Sequence, residues 1–232
     1  MTPSDSPARP RLLDLFCKAG GAGMGYHLAG FDVVGVDISP QPRYPFEFIQ
    51  ADVRGLSDGF IAGFDAIHAS PPCQGYSDMR HAPGAIGAPR MIHEVRERLI
   101  DARKPYVIEN VEGARCDMRG PIMLCGSMFD LGSQGCQLQR HRLFESSAGL
   151  SAPECRHSSE PVIGVYGGHA RKRSAKAGGR GTKDVWIGGH KAAASEAMGI
   201  DWMTLAELSE AIPPAYTKWI GIQIMEIIHA TK

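Results

Sequence analysis

The sequence predicts a doubly wound α/β fold with a mainly parallel sheet, and three observations carry that expectation. Short apolar runs of strand length alternate with amphipathic or turn-rich stretches through the first two thirds of the chain. A glycine-rich turn follows the first run directly, and an acid ends the second. Chemistry-bearing residues recur at the ends of later runs, where open α/β sheets place their sites.

The strand-like runs are Leu12 to Phe16, Asp32 to Val36, Phe46 to Ile49, Ala66 to Ala69 and Tyr106 to Ile108, several of them β-branched and bounded by Gly, Pro or Asp. Helices are expected over Gly23 to Ala29 and over Ile92 to Ala102, the latter between Pro89 and Lys104-Pro105. After Phe144 the chain turns Gly-, Ser- and Lys/Arg-rich, with two strand-like pieces at Val162 to Tyr166 and Val185 to Ile187. From Lys191 it reads as helical again, through Leu205 to Ala211, broken at Pro213-Pro214 and resumed from Ala215 to His229. The resulting plan is a flexible N-terminus over 1–10, a catalytic and cofactor-binding domain over 11–145, a small recognition insert over 146–191, and C-terminal helices over 192–232 that return to the first domain.

At 232 residues the chain suffices for one domain with a small appendage. Apolar residues make up 43% and charged residues 22%, a globular balance, and no apolar run approaches the roughly 18 residues of a membrane span. The polar, Pro-rich start lacks the apolar core of a signal peptide, so a cytoplasmic address is expected; the protein is also expected to be monomeric. Six cysteines are too sparse for a disulfide scaffold. Cys155-Arg156-His157, with Cys125 and Cys136 nearby, matches no familiar zinc spacing, and no metal is expected. Net charge is zero, but Arg140 to Lys191 holds ten Lys/Arg against four acids, a local excess of six suited to a polyanion. Within it, Arg171, Lys172, Arg173, Arg180 and Lys183 are the candidate phosphate contacts, the Gly-, Ala-, Lys- and Arg-rich stretch His169 to Lys183 being better suited to phosphates than to base edges.

Asp14 to Gly25 runs from a strand into a glycine-rich turn and a helix, a place where backbone amides approach an anionic ligand group. Asp37 ends the next strand, where a carboxylate accepts hydrogen bonds from ribose hydroxyls, and Asp52 ends the one after. Cys73 sits between Pro71-Pro72 and Gly75 at the end of the fourth strand, a loop position that favours a reactive thiol over a core one. Glu109 closes the fifth strand at the same edge. Arg140 and Arg142 are two apart, so on an extended segment both point the same way.

Together these residues resemble the DNA cytosine-5 methyltransferases, in motif order and over nearly the whole chain. Asp14 to Gly21 is similar to the first motif, Pro72-Cys73-Gln74 with Tyr76-Ser77 to the nucleophile motif, Glu109-Asn110-Val111 to the acid motif, and Arg140-His141-Arg142 to the arginine motif. Ile212-Pro213-Pro214 resembles the last motif, whose helix completes the cofactor pocket. The resemblance implies a Rossmann-like, S-adenosylmethionine-dependent fold acting on double-stranded DNA, with Cys73, Glu109, Arg142 and Arg140 catalytic. It also implies a cofactor site of Asp14, Phe16, Ala19, Gly20, Gly21, Asp37, Ile38, Asp52, Val53 and Pro72, and substrate contacts at Gln74 and Ser77. The alternatives are cytosine-5 methylation of tRNA and a silent nucleic-acid-binding homologue. Three positions depart from the pattern: Lys18 replaces a glycine, Leu138 a glutamine, and Ser209-Glu210 a Gly-Asn pair. A lysine at 18 implies a backbone conformation open to ordinary residues.

Overall fold

Leu12, Leu13 and Leu15 are all inaccessible to solvent, on both faces of β1 (Arg11–Leu15), because that strand lies inside a parallel sheet. The computed structural model describes residues 8–76, 87–173 and 186–230. β2 (Asp32–Asp37) and β4 (Ala66–Ala69) flank β1 in parallel, with β3 (Glu47–Gln50) beyond β2 and β5 (Tyr106–Asn110) beyond β4. β6 (Ile122–Leu124) and β9 (Arg142–Ser146) complete the other edge, β9 antiparallel to both β5 and β6. The strand order is β3-β2-β1-β4-β5-β9-β6. It reverses between β1 and β4, so the loops leaving these two strands diverge and open a crevice at the carboxyl edge.

α1 (Gly21–Leu28) and α3 (Ile92–Asp101) fall where periodicity places them. The five-residue α2 (Asp58–Ala62) is too short for periodicity to reveal, although its start is marked: the Ser57 hydroxyl caps it by accepting from Phe60 N at 3.2 Å. Arg96 of α3 and Glu145 of β9 form an ion pair at 2.5 Å, both side chains buried, which ties the helix to the antiparallel edge.

A second sheet has the order β11-β10-β8-β7, from β7 (Gly132–Ser133), β8 (Cys136–Leu138), β10 (Val162–Tyr166) and β11 (His169–Arg173). Its core packs against α4 (Gly189–Met198) through Ile163, Val165, Ala193, Ala194 and Ala197. The unit therefore differs from the insert expected over 146–191. Two of its strands precede Arg140, and α4 starts inside the expected boundary, because β8, paired with β7, buries Cys136 and Leu138 in this unit's core and not in the large sheet. His169 to Arg173 forms the edge strand β11. Gly167 and Gly168, with φ of 56° and 72°, form the two-residue turn that pairs it with β10. Val185, Arg180 and Lys183 lie outside the described residues, and Trp186-Ile187 is not a strand.

α5 (Leu205–Glu210) and α6 (Pro214–Ala230) bring the chain back to the large sheet. The break falls between them as expected, and Pro214 opens α6, since a missing N–H costs nothing in a first turn. α6 packs closely on α1: a Cβ at Gly25 would stand 2.0 Å from Thr217 Oγ1, which donates to Ala22 O at 2.8 Å. Arg9 bonds Gly30 O and His27 O, so order reaches into the segment expected to be flexible. Among the described residues, no helix is long and apolar enough to cross a membrane.

Candidate active site

The crevice at the β1/β4 switch holds a cavity of about 280 Å³. Its walls include Asp14 of β1 with Phe16, Ala19 and Gly21 after it, Asp37 at the end of β2 with Ile38 after it, Ser70 to Gln74 after β4, Glu109 on β5 and Arg142 on β9. Strand order thus gathers at one place five segments that are far apart in the sequence. The C-terminal segment closes the far side with Met203 and residues 209–212.

The reactive end is built around Glu109, buried beside Arg142, whose Nε lies 3.2 Å from Glu109 Oε1. Burial pushes the Glu109 carboxyl above its ordinary value, against the pull of Arg142, a hydrogen bond from Ser70, and Arg140. Behind it runs a buried chain that the sequence did not disclose: Tyr26 Oη to His68 Nδ1 at 2.9 Å, and His68 Nε2 to Ser70 Oγ at 2.9 Å. Burial lowers the His68 pKa to about 3, so the ring is neutral. With Ser70 donating to Glu109, the directions follow: Tyr26 donates to Nδ1 and His68 donates from Nε2. Cys73 is exposed on its loop. Its thiol is nonetheless pushed up by desolvation and by Glu109, while Arg142 draws it down. Asn110 holds that loop, its Nδ2 donating to Pro71 O at 3.0 Å while its Oδ1 accepts from Val111 N.

At the other end Asp14 is buried, one oxygen accepting from Tyr44 Oη at 3.1 Å and the other, Oδ1, without a partner. Burial, with a smaller push from Asp37, raises its pKa to about 7 despite the Tyr44 bond. The Asp37 oxygens accept from Lys18 N and Ser39 N. Gly20 turns the chain with φ 85°, and a side chain there would meet Pro45 and Tyr44 at 2.8 to 3.0 Å. An orphaned carboxylate oxygen, a helix N-terminus and an apolar wall at Phe16, Ile38 and Pro72 fit a zwitterionic nucleoside such as S-adenosylmethionine.

Several expected site residues lie elsewhere. Asp52 pairs with Arg54 at 2.6 Å and caps the short 3₁₀ turn Val53–Gly55, while Val53 is buried in the core, so neither walls the cavity. Arg140 does not face the cavity as Arg142 does. It is fully buried, donating to Val165 O at 2.8 Å and Ser209 O at 2.7 Å, and desolvation lowers its pKa to about 10. The two arginines do not share an extended segment and so do not point the same way, because β9 begins only at Arg142. Lys18 has φ 48°, a left-handed conformation and not the ordinary one expected. Arg171 and Lys172 are half-buried on the edge strand β11; Ser77 lies outside the described residues.

Residues 11–122 match the family model of the C-5 cytosine-specific DNA methylases. The type II methyltransferase M.NgoFVII of Neisseria gonorrhoeae is 30% identical over 121 residues, 47% of this chain and 32% of that protein. M.XorII of Xanthomonas oryzae is 32% identical over 122 residues, 45% of this chain and 29% of that one. The chain thus covers about a third of the curated relatives it matches. Among solved structures, a protein described as a candidate DNA modification methyltransferase from an E. coli prophage aligns with TM-score 0.60 at 15% identity, covering 95% of this chain and 99% of that one. The S. pombe Dnmt2 methyltransferase aligns at 0.57 and 14%, with the same coverage. These likenesses show the fold, that of the Rossmann-like S-adenosylmethionine-dependent methyltransferases. Residues 11–122 are thus similar to the C-5 cytosine-specific DNA methylases, whose members take their methyl group from S-adenosylmethionine.

Proposed function

We propose that the protein transfers a methyl group to carbon 5 of cytosine in double-stranded DNA through a covalent Cys73 adduct on a flipped-out base. The observation that carries this reading is the shared cavity of Cys73, Glu109 and Arg142 with the Asp14 and Asp37 loops. Carbon 5 is too weak a nucleophile to react unaided. Addition of the Cys73 thiolate to carbon 6 turns the ring into an enamine, splitting one hard step into two. Charge then builds toward N3 and O2, where Glu109 in its proton-holding form and the Arg142 guanidinium stabilise it. Burial, which raises the Glu109 pKa, favours that form. S-adenosylmethionine, bound toward Asp14, Phe16, Gly21 and Asp37, supplies the electrophilic methyl. Loss of the carbon-5 proton and of Cys73 completes turnover. Because a stacked base is out of reach, the nucleotide leaves the duplex at a cost of a few kcal/mol. Arg171 and Lys172 supply phosphate contacts from the second sheet, and the protein acts as a monomer.

Incubation with labelled S-adenosylmethionine and either duplex DNA or tRNA tests the reading, the expected result being label in DNA cytosine. Label only in tRNA would move the substrate to RNA, and no label in either would overturn the enzyme. Duplexes carrying 5-fluorocytosine should trap the parent covalently only with cofactor present. Cys73→Ala should abolish both the trap and turnover.

A further inference from the structure

Away from the cavity, four side chains from three segments each bring one ligand atom to a common point. Cys125 precedes the 3₁₀ turn Gly126–Phe129, His141 lies just before β9, and Cys155 and His157 lie in the stretch 147–161, which has no regular structure. Their ligating atoms all lie within 4.8 Å of one another. The two Nε2 atoms are 3.2 Å apart, Cys155 Sγ is 3.2 Å from His157 Nε2 and 3.8 Å from His141 Nε2, and Cys125 Sγ is 3.4 Å from His157 Nε2. A tetrahedral zinc ion with ordinary Zn–S and Zn–N bonds sets edges of about 3.3 Å between nitrogens and about 3.6 Å between sulfur and nitrogen. The observed separations scatter around those edges.

Hydrogen bonding alone accounts for them poorly. His157 Nε2 faces three partners, yet a neutral ring nitrogen offers either one hydrogen or one lone pair. A central cation satisfies every contact together. Surrounding groups are arranged for it as well. Glu112 Oε1 lies 3.3 Å from His141 Nδ1, so Nδ1–H can donate to the carboxylate, leaving the Nε2 lone pair aimed into the cluster. The Ser127 hydroxyl lies 3.2 Å from Cys125 Sγ and 3.9 Å from Cys155 Sγ. Both cysteines are free thiols, and two thiolates balance the charge of one divalent ion. Cys136, close in sequence, lies instead in the core of the second sheet.

The geometry points to a structural zinc site formed by Cys125, His141, Cys155 and His157. Two sulfurs and two imidazoles select zinc over magnesium or calcium, and four protein ligands leave no open position for catalysis. The ion staples the irregular stretch 147–161 to the β6 and β9 edge. It also holds His141, whose neighbours in the chain are the buried Arg140 and the cavity-facing Arg142. This last consequence rests on the methyl-transfer reading; metal binding does not.

The test measures metal on the full chain without substrate. Protein purified without chelators should contain one zinc per chain by plasma mass spectrometry, and cobalt exchange should produce the intense visible bands of a tetrahedral thiolate site. Cys155→Ser and His157→Ala should weaken zinc binding about a hundredfold or more in competition with a chromogenic chelator. Cys116→Ser, at an exposed cysteine outside the cluster, should leave it unchanged. Should the ligand deletions fold poorly, His157→Cys preserves four ligands and should keep the metal with added sulfur-to-cobalt intensity. A parent that takes up neither metal at equimolar supply, or a Cys155→Ser protein with undiminished affinity, would overturn the site. Inactivity toward DNA would overturn only the methyl-transfer reading.

Discussion

Lys18 Nζ lies 3.4 Å from Glu210 Oε2, so two positions where the chain departs from the resembled family pattern meet across the mouth of the cavity. Both side chains are more than half exposed, at 56% and 62%, and such a pair contributes well under about 1 kcal/mol. The mouth is also held by Arg43, whose Nε–H is shared between the two Glu207 oxygens at 2.8 and 3.1 Å, and by Trp202 Nε1 donating to Ala19 O at 2.9 Å.

Lys18→Gly should therefore leave the cavity intact. A left-handed lysine costs about 1 kcal/mol, which glycine relieves while adding unfolded-chain entropy, so stability should stay within about 1 kcal/mol of the parent in urea melts. S-adenosylmethionine affinity by calorimetry should stay within about tenfold, or about 1.4 kcal/mol. A larger loss would mean that the ammonium itself contacts the cofactor.

Arg142→Ala removes the cation that draws down both Cys73 and Glu109. Both pKa values should rise, and the pH profile of iodoacetamide labelling at Cys73 should shift alkaline. Labelling that shifts acid or stays put would show that Arg142 does not govern the thiol.

Asp14 ties the cofactor end to pH. Its folded pKa of about 7 exceeds the ordinary 3.8, so the folded state holds this proton more tightly than the unfolded chain between those values. Stability should fall as pH rises through that window and level off above it. Asp14→Asn should flatten the slope and stabilise the protein at pH 8 on the order of a few kcal/mol, read from urea melts at pH 5 and pH 8.

Arg140→Met leaves Val165 O and Ser209 O without their charged donor. The loss should be about 3 kcal/mol, seen in the urea midpoint. Any residual enzyme should keep its KM for cofactor, because Arg140 does not wall the cavity. A variant as stable as the parent would show that this buried cation links no elements.

Arg171→Gln with Lys172→Gln should weaken binding to all DNA sequences alike and flatten its salt dependence, as loss of phosphate contacts does. The methylated target should stay short, on the order of 2–4 base pairs, because the second sheet offers few side chains for base edges. Bisulfite sequencing of a methylated plasmid reads this directly, and a strict site of six or more base pairs would contradict it.

The five central strands, the helices α1, α3 and α6, the strand ends bearing Asp14 and Glu109 and the loop bearing Cys73 were all legible in the order of residues. Each is written locally: an apolar run for a buried strand, a glycine or Pro-Pro for the turn after it, a carboxylate at the strand end. The rest depended on contacts between distant segments. Period two could not tell that Arg140 lies outside β9, bonded to β10 and to Ser209. Motif position could not tell that Asp52 folds back on Arg54, or that Lys18 takes a left-handed turn between Phe16 and Gly20. β7 and β8 join a sheet completed more than twenty residues later, and His141 meets Cys125, Cys155 and His157 only once β6 and β9 are paired. Local patterning specifies which face of an element is apolar and where the chain turns. Which distant face covers it, and which buried polar atoms then find partners, is settled only by packing the whole chain together.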